Sequence, residues 1–349
     1  MLHANATQQK VTFDLFQQEF DRADWTQDPS QTWDQLLDRR ALQIAAKNKP
    51  IILAFSGGTD SYTMYQVFRR MDIPIAGVYV MIKHRWQKSF EPVIEFITAE
   101  SQQHGFHVWI GRETPDVMSK IYDSPDWLWN NQRNLSVYFG FACDVVLHAE
   151  DSVAAGLDFD GDYVMVTGND KPRLLYANYR YYSYQQDYTY HASSDPRIEY
   201  FYIHGDLPDL HIKQSYMLAR WITQRSQELG ISKSKLASVH ENMADRYLDY
   251  SINGCGRFGD LCSSAEQKRV STESYLVLPE TAEWHQARCN GHHSVVLEQG
   301  IKTGSTWAKN YIQGLMQLRT DSTLRDSFQN LENLQSVRRI HSRPYPLQI

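Results

Sequence analysis

Four cysteines in 349 residues, at positions 143, 255, 262 and 289, are too few for a disulfide framework, and they suit a reducing compartment. No apolar run reaches the roughly eighteen residues a membrane helix needs. Met1 to Lys10 is polar and has no signal-like apolar core. These absences lead to the expectation of a cytoplasmic protein with no membrane partner. Positive charge is not in excess either: the formal net charge is −6, which argues against coating nucleic acid by electrostatics alone, although local basic patches remain available. What is abundant is apolar residue, at 42%, enough to fill one large domain or two of ordinary size.

One stretch organises the rest: Ile51-Ile52-Leu53-Ala54-Phe55-Ser56-Gly57-Gly58-Thr59-Asp60-Ser61. An apolar run with the character of a buried strand stops at two glycines flanked by hydroxyls. Asp60 then opens a helical pattern through Ser61, Met64, Val67 and Phe68. Glycines let backbone N–H groups approach an anion, and the first turn of a helix adds unpaired donors and a positive dipole end. An ordinary strand-to-helix turn uses the same residues, so composition alone leaves both readings open. At this turn there is neither a Gly-Xaa4-Gly-Lys-Ser/Thr loop nor a Gly-Xaa-Gly-Xaa-Xaa-Gly fingerprint.

Ser-Gly-Gly-Xaa-Asp-Ser directly after a strand resembles the pyrophosphate loop of the N-type ATP pyrophosphatases, or PP-loop superfamily. That superfamily includes asparagine synthetase, GMP synthetase, NAD synthetase, tRNA-lysidine synthetase and 7-cyano-7-deazaguanine synthase. The resemblance spans about Lys49 to Gly230. It implies a nucleotide site built from Ser56, Gly57, Gly58, Thr59, Asp60 and Ser61, with ATP and magnesium as cofactors. It also implies an α/β fold, HUP-like and Rossmann-like: an open, mainly parallel five-stranded sheet with helices on both faces.

The chain order agrees with that fold class. Ile51 to Phe55, Ile75 to Ile82, Phe106 to Ile110, Tyr163 to Thr167 and Glu199 to Ile203 read as strands alternating with helices, which calls for parallel strands and crossovers. Residues 1–48 read as a helical extension through Phe13, Phe16, Phe20, Trp33, Leu36, Leu37 and Ile44. Residues 49–230 form the expected ATP pyrophosphatase domain, and 231–349 a mostly helical carboxy-terminal region whose last residues look frayed.

Ligands in open sheets bind beyond the carboxyl ends of the strands. Lys83-His84-Arg85-Trp86 follows the second strand, and Lys83 either approaches the adenosine, as position in the family implies, or is a solvated charge. Gly168-Asn169-Asp170-Lys171-Pro172-Arg173 follows the fourth strand. It is either a plain turn or, as the resemblance implies, a second nucleotide segment, with Gly168, Asn169, Lys171 and Arg173 binding and Asp170 catalytic. Lys213 lies near a helix start after the fifth strand and, by the same resemblance, points at the phosphates. Asp60, Asp170 and Lys213 are the expected catalytic residues, and Asp60 and Asp170 the expected magnesium ligands.

The chemistry implied is cleavage of ATP to AMP and pyrophosphate, adenylating a carboxylate or carbonyl oxygen that ammonia or an amine then attacks, as in an amide-forming ligase. A PP-loop sulfurtransferase or sulfonucleotide reductase is the alternative within enzymes, without a Cys-Xaa2-Cys pair to support it. A nucleotide-binding module without turnover is the alternative outside them. Position 2 is Leu, not the nucleophilic Cys of the asparagine synthetase glutaminase domain, so no fused glutaminase is expected, and the nitrogen source is expected to be free ammonia, a free amine, or ammonia delivered by a separate protein. Zinc is not expected: Cys255, Cys262 and Cys289 with His292 or His293 lack the paired spacing of a zinc site. Seven tyrosines between Tyr176 and Tyr190 suggest a short hairpin. It would border the pocket of a planar small-molecule or nucleobase acceptor, form a homodimer contact, or pack beneath a loop.

Overall fold

The computed structural model describes residues 2–5, 10–13, 16–82, 87–112, 115, 118–119, 122–124, 162–168, 172–184, 197–234, 237, 303–310 and 344–349. Lys83, Asn169, Asp170, Lys171 and all four cysteines lie outside them, as do His292 and His293.

The chain opens with an antiparallel pair, β1 (Leu2–Asn5) and β2 (Lys10–Phe13), in which Leu2 faces Phe13. The helical spacing read from Phe13 onward therefore begins too early. Lys-Val-Thr-Phe alternates polar and apolar residues with β-branched Val11 and Thr12, a strand pattern that helical counting overlooked. Helix starts at α1 (Gln17–Arg22) and continues in α2 (Trp33–Ala45). Thr32 and Gln35 form a capping box: the Gln35 amide donates to Thr32 Oγ1 at 3.2 Å and the Thr32 amide to Gln35 Oε1 at 2.9 Å. One stripe of α2, Trp33, Leu36, Leu37, Arg40, Ala41 and Ile44, is buried.

β3 (Ile51–Ala54), α3 (Thr59–Arg70), β4 (Gly77–Ile82), α4 (Gln87–His104), β5 (His107–Arg112) and β6 (Val164–Thr167) follow. Next come β7 (Arg173–Ala177), β8 (Arg180–Tyr184), β9 (Ile198–Tyr200), α5 (Pro208–Leu229) and β10 (Tyr345–Leu347). Five strands form one all-parallel sheet in the order β5-β4-β3-β6-β9. Ile51-Ile52-Leu53 and Val164-Met165-Val166 are buried throughout, as continuous apolar strands covered on both faces require. From β3 the order runs one way through β4 to β5 and the other way through β6 to β9. The reversal lies between β3 and β6.

A second sheet is antiparallel, β10-β8-β7. β7 and β8 form the hairpin expected of the tyrosine-rich segment, closed by Asn178 and Tyr179, both with positive φ (50° and 60°) as a two-residue primed turn demands. Its inner face is Leu174, Tyr181 and Ser183, which pack on α5; Tyr181 Oη lies 2.8 Å from Thr223 Oγ1 and Ser183 Oγ 2.8 Å from Ser215 Oγ. The carboxyl terminus is not frayed in its last residues. Tyr345 and Leu347 point inward and Pro346 outward, and a proline is tolerated because β10 is an edge strand.

Burial of charge fixes α2 against β9. Arg40 is 1% exposed and donates to Glu199 Oε2 at 2.8 Å and twice to the Tyr200 carbonyl at 2.8 and 3.1 Å, while Lys47 meets the other Glu199 oxygen. Burial alone would raise the Glu199 pKa, but Arg40, Lys47 and nearby His204 outweigh it and leave it low. Burial, helped by Arg40, depresses His204 to about 4. Burial alone brings His211 to about 3; both its ring nitrogens are buried without a hydrogen-bond partner, and the ring stacks on Phe20 at 5.7 Å.

In all three groups the unfolded chain takes up its proton at a higher pH than the folded chain. Stability is therefore full above the ordinary histidine value of 6.5, falls as the pH drops toward the folded values of the two histidines, and falls further as Glu199 is protonated. Urea unfolding should lose roughly 2–4 kcal/mol between about pH 7 and pH 5. His211→Phe should flatten that slope. A slope unchanged by the substitution would contradict this account.

Candidate functional site

The chain leaves β3 at the reversal point of the sheet. β3 is hydrogen-bonded to β4 on one side and β6 on the other, so the backbone beyond it must find new partners or meet water. The Ser56 amide donates to Ser61 Oγ at 3.1 Å and the Gly58 amide to Ser56 Oγ at 3.3 Å. Ser61 Oγ donates to the Gly58 carbonyl at 3.0 Å, so its single proton is used there; the 3.1 Å contact between the two hydroxyls is then a bond donated by Ser56. Ser61 is 5% exposed and shapes the loop from inside. Ser56 is exposed and carries the hydroxyl accessible to a ligand.

Gly57 has φ +70°, and a Cβ there would overlap the γ-methyls of Val93 on α4. Gly58 is the N-cap of α3 and contributes no side-chain cap, while Thr59 and Asp60 occupy the first turn. Gly168, directly after β6, lies against that turn: a Cβ there would sit 3.2 Å from the Asp60 carbonyl carbon and oxygen and from the Ser61 nitrogen. Gly168 and the Ser56–Ser61 loop thus meet at one point, the carboxyl ends of β3 and β6. Arg173 is the first residue of β7, opposite Tyr184.

Lys213 lies in the second turn of α5. Its Nζ donates to the Pro29 carbonyl at 2.9 Å and lies 3.0 Å from Asp28 Oδ1; Arg220 Nη2 approaches the other Asp28 oxygen at 2.6 Å. In this conformation the ammonium is held by the segment between α1 and α2, which no local sequence pattern signals. Tyr181, expected at an acceptor pocket or a dimer contact, is 3% exposed and serves packing on α5. Tyr179 at the hairpin tip is 94% exposed.

Tyr202 is a residue the sequence reading missed. It lies two residues past β9, is fully buried, and donates its hydroxyl to the Asp60 carbonyl at 2.9 Å. Burial first, then the charge of Asp60, raises its pKa well above the usual phenol value. Its ring stacks on Trp33 at 6.2 Å and 9°. The signal available in the sequence was an aromatic residue at a strand's carboxyl end, a place read only as part of the fifth strand.

Among the described residues, no three His, Cys, Asp or Glu side chains are grouped to hold a metal ion. None of their helices is long and apolar enough to cross a membrane. Compared with known proteins, the sequence matches no protein-family model and no curated protein.

The loop geometry is directly testable by substitution. Gly57→Ala should destabilise the fold by at least about 1–2 kcal/mol from the left-handed backbone alone, with the overlap on Val93 added. Val93→Ala in that background should recover the overlap part and leave the backbone part. Wild-type stability of the single variant in urea would refute the conformation described.

Proposed function

We propose that the Ser56–Ser61 loop binds the phosphates of ATP and that the protein is an adenylating enzyme of the PP-loop type, forming AMP and pyrophosphate. The observation that carries this reading is the convergence of a loop with two adjacent glycines, a helix amino terminus and Gly168 at the reversal point of a parallel sheet, where open α/β sheets bind ligands. In this reading the sheet belongs to the Rossmann-like, HUP-like group. Backbone amides of the loop and of the first turn of α3 hold the phosphates, the Ser56 hydroxyl joins them by releasing Ser61 Oγ, and Ser61 keeps the loop in shape. Magnesium would be held by Asp60, with Asp170 as second ligand, and would supply charge that neutralises the phosphates.

An acceptor oxygen attacks the α-phosphorus, the bond to the bridging oxygen breaks, and pyrophosphate leaves with its electron pair. The adenylated acceptor then reacts with ammonia or an amine and releases AMP. The acceptor proposed is a small molecule or nucleobase bearing a carboxylate or carbonyl oxygen, and a separate protein supplies ammonia where glutamine is its source. Asn169, Lys171, Arg173 and Lys83 complete the nucleotide site in this proposal.

One observation favours a second reading, nucleotide binding without turnover: the Lys213 ammonium is already engaged by Asp28 and Pro29. Lys213 assists pyrophosphate release only if the ligand draws it from that carboxylate.

ATP labelled at the α and γ positions distinguishes these readings when incubated with magnesium, ammonium and a panel of carboxylates and nucleobases. AMP and pyrophosphate are expected. ADP and phosphate would overturn the reading, and bound ATP without either product would support the second one. Asp60→Ala should lower pyrophosphate release at least about a hundredfold, the scale of one lost electrostatic contact to a transition state. Unchanged release, with the circular dichroism spectrum intact, would remove Asp60 from the site.

A further inference from the structure

We propose that Tyr202 is a positioning residue for the phosphate loop: its hydroxyl fixes the backbone of the first turn of α3, and with it the amides offered to an anion. The proposal rests on the phosphate reading of the loop and adds a residue from a different strand to it.

The ladder between β6 and β9 continues one bond past β9, where the Phe201 amide donates to the Thr167 carbonyl at 2.9 Å. Tyr202 therefore leaves the sheet beside Thr167, one residue before Gly168. From there its side chain reaches the first turn of α3, where it donates to the Asp60 carbonyl at 2.9 Å and meets the Thr63 side chain. A helical carbonyl has a second lone pair, so this bond adds to the helical one and does not replace it.

Trp33 stacks on the ring and sets its direction. The turn is then held from two sides. Gly168 sets how close β6 can come, since a Cβ there would lie 3.2 Å from the backbone of residues 60 and 61, and Tyr202 sets how far the turn can move away. A phenylalanine would fill the same space. What the hydroxyl adds is a directed bond between two crossing elements in a buried region, where leaving the group unpaired is costly.

Tyr202→Phe removes that bond and keeps the stack. Tyr181→Phe is the control: it removes the hydroxyl of another buried tyrosine, one that lies 2.8 Å from Thr223 Oγ1 on α5 and takes no part in the loop. Hydrogen exchange on the full-length chain should show protection of the Gly57–Ser61 amides falling about three- to tenfold in Tyr202→Phe and not in the control, the range of one neutral hydrogen bond. ATP affinity, read by calorimetry, should fall by a similar factor in Tyr202→Phe alone, although both variants lose some global stability. If the wild type binds ATP but Tyr202→Phe shows unchanged affinity, or a loss of protection spread evenly over the sheet, the positioning role is wrong. If the wild type itself binds no ATP, the phosphate reading falls first and the role of Tyr202 falls with it.

Discussion

The first turn of α3 lies so close to the end of β6 that a Cβ at residue 168 would sit 3.2 Å from its backbone and force it to give way by a few tenths of an ångström, and much of the local structure follows from that approach. β3 is paired on both sides, so its chain can leave only beyond the sheet edge, and α3 must turn back within a few residues. Gly57 makes the turn possible through its positive φ, and Val93 on α4 closes the space behind it. The backbone groups released from the sheet are taken up by Ser56 and Ser61, so the loop is rigid before any ligand arrives. In the phosphate reading, an anion would have to take the Ser56 and Gly58 amides from their serine partners or bind the amides of the first turn of α3.

Charge burial performs a different task on the neighbouring strand. Glu199, 4% exposed in the middle of β9, is tolerable only because Arg40 and Lys47 neutralise it, and both cations come from α2 or its end. Removing Glu199 would leave the buried Arg40 with the Tyr200 carbonyl alone, and removing Arg40 would leave Glu199 with only the more exposed Lys47, so the seat of α2 on β9 is strongly specified. That seat also places Trp33, at the start of α2, against Tyr202. A structural ion pair thus sets the geometry of an aromatic stack, and the stack directs a hydroxyl toward the candidate site.

Much of the parallel sheet was legible in the sequence because its central strands are continuous apolar runs ended by turn residues. β9 is shorter than its apolar run, since Phe201 to Ile203 stay buried while already leaving the strand. Arg40 was hidden in the opposite sense: it occupies a position in the apolar stripe of α2, and a charge at such spacing is the mark of a buried pair whose partner lies 159 residues away. Lys213 illustrates the same limit. Its place near a helix start was readable, but its contact with Pro29, 184 residues earlier, was not, because nothing local encodes it. Gly168 was readable as part of a turn or a nucleotide segment after a strand, but its close approach to the α3 backbone was not, because nothing local encodes that partner.

The position of Lys213 gives the proposed site a thermodynamic property. Asp28 is 18% exposed and bridges Lys213 and Arg220, so moving Lys213 to a phosphate would leave Asp28 paired with Arg220 alone, which is itself 56% exposed and well solvated. The exchange is therefore less costly than breaking an isolated buried pair, because one cation remains and water reaches it. In the ATP reading, any such exchange links the nucleotide to the segment between α1 and α2. The linkage is reciprocal: a ligand that takes Lys213 loosens that segment, and whatever tightens the segment on Lys213 weakens the ligand by the same factor. The segment also carries Trp25, which stacks on Tyr345 of β10 at 4.3 Å. Through it, in the ATP reading, β10 would be linked to the occupancy of the Ser56–Ser61 loop without touching it.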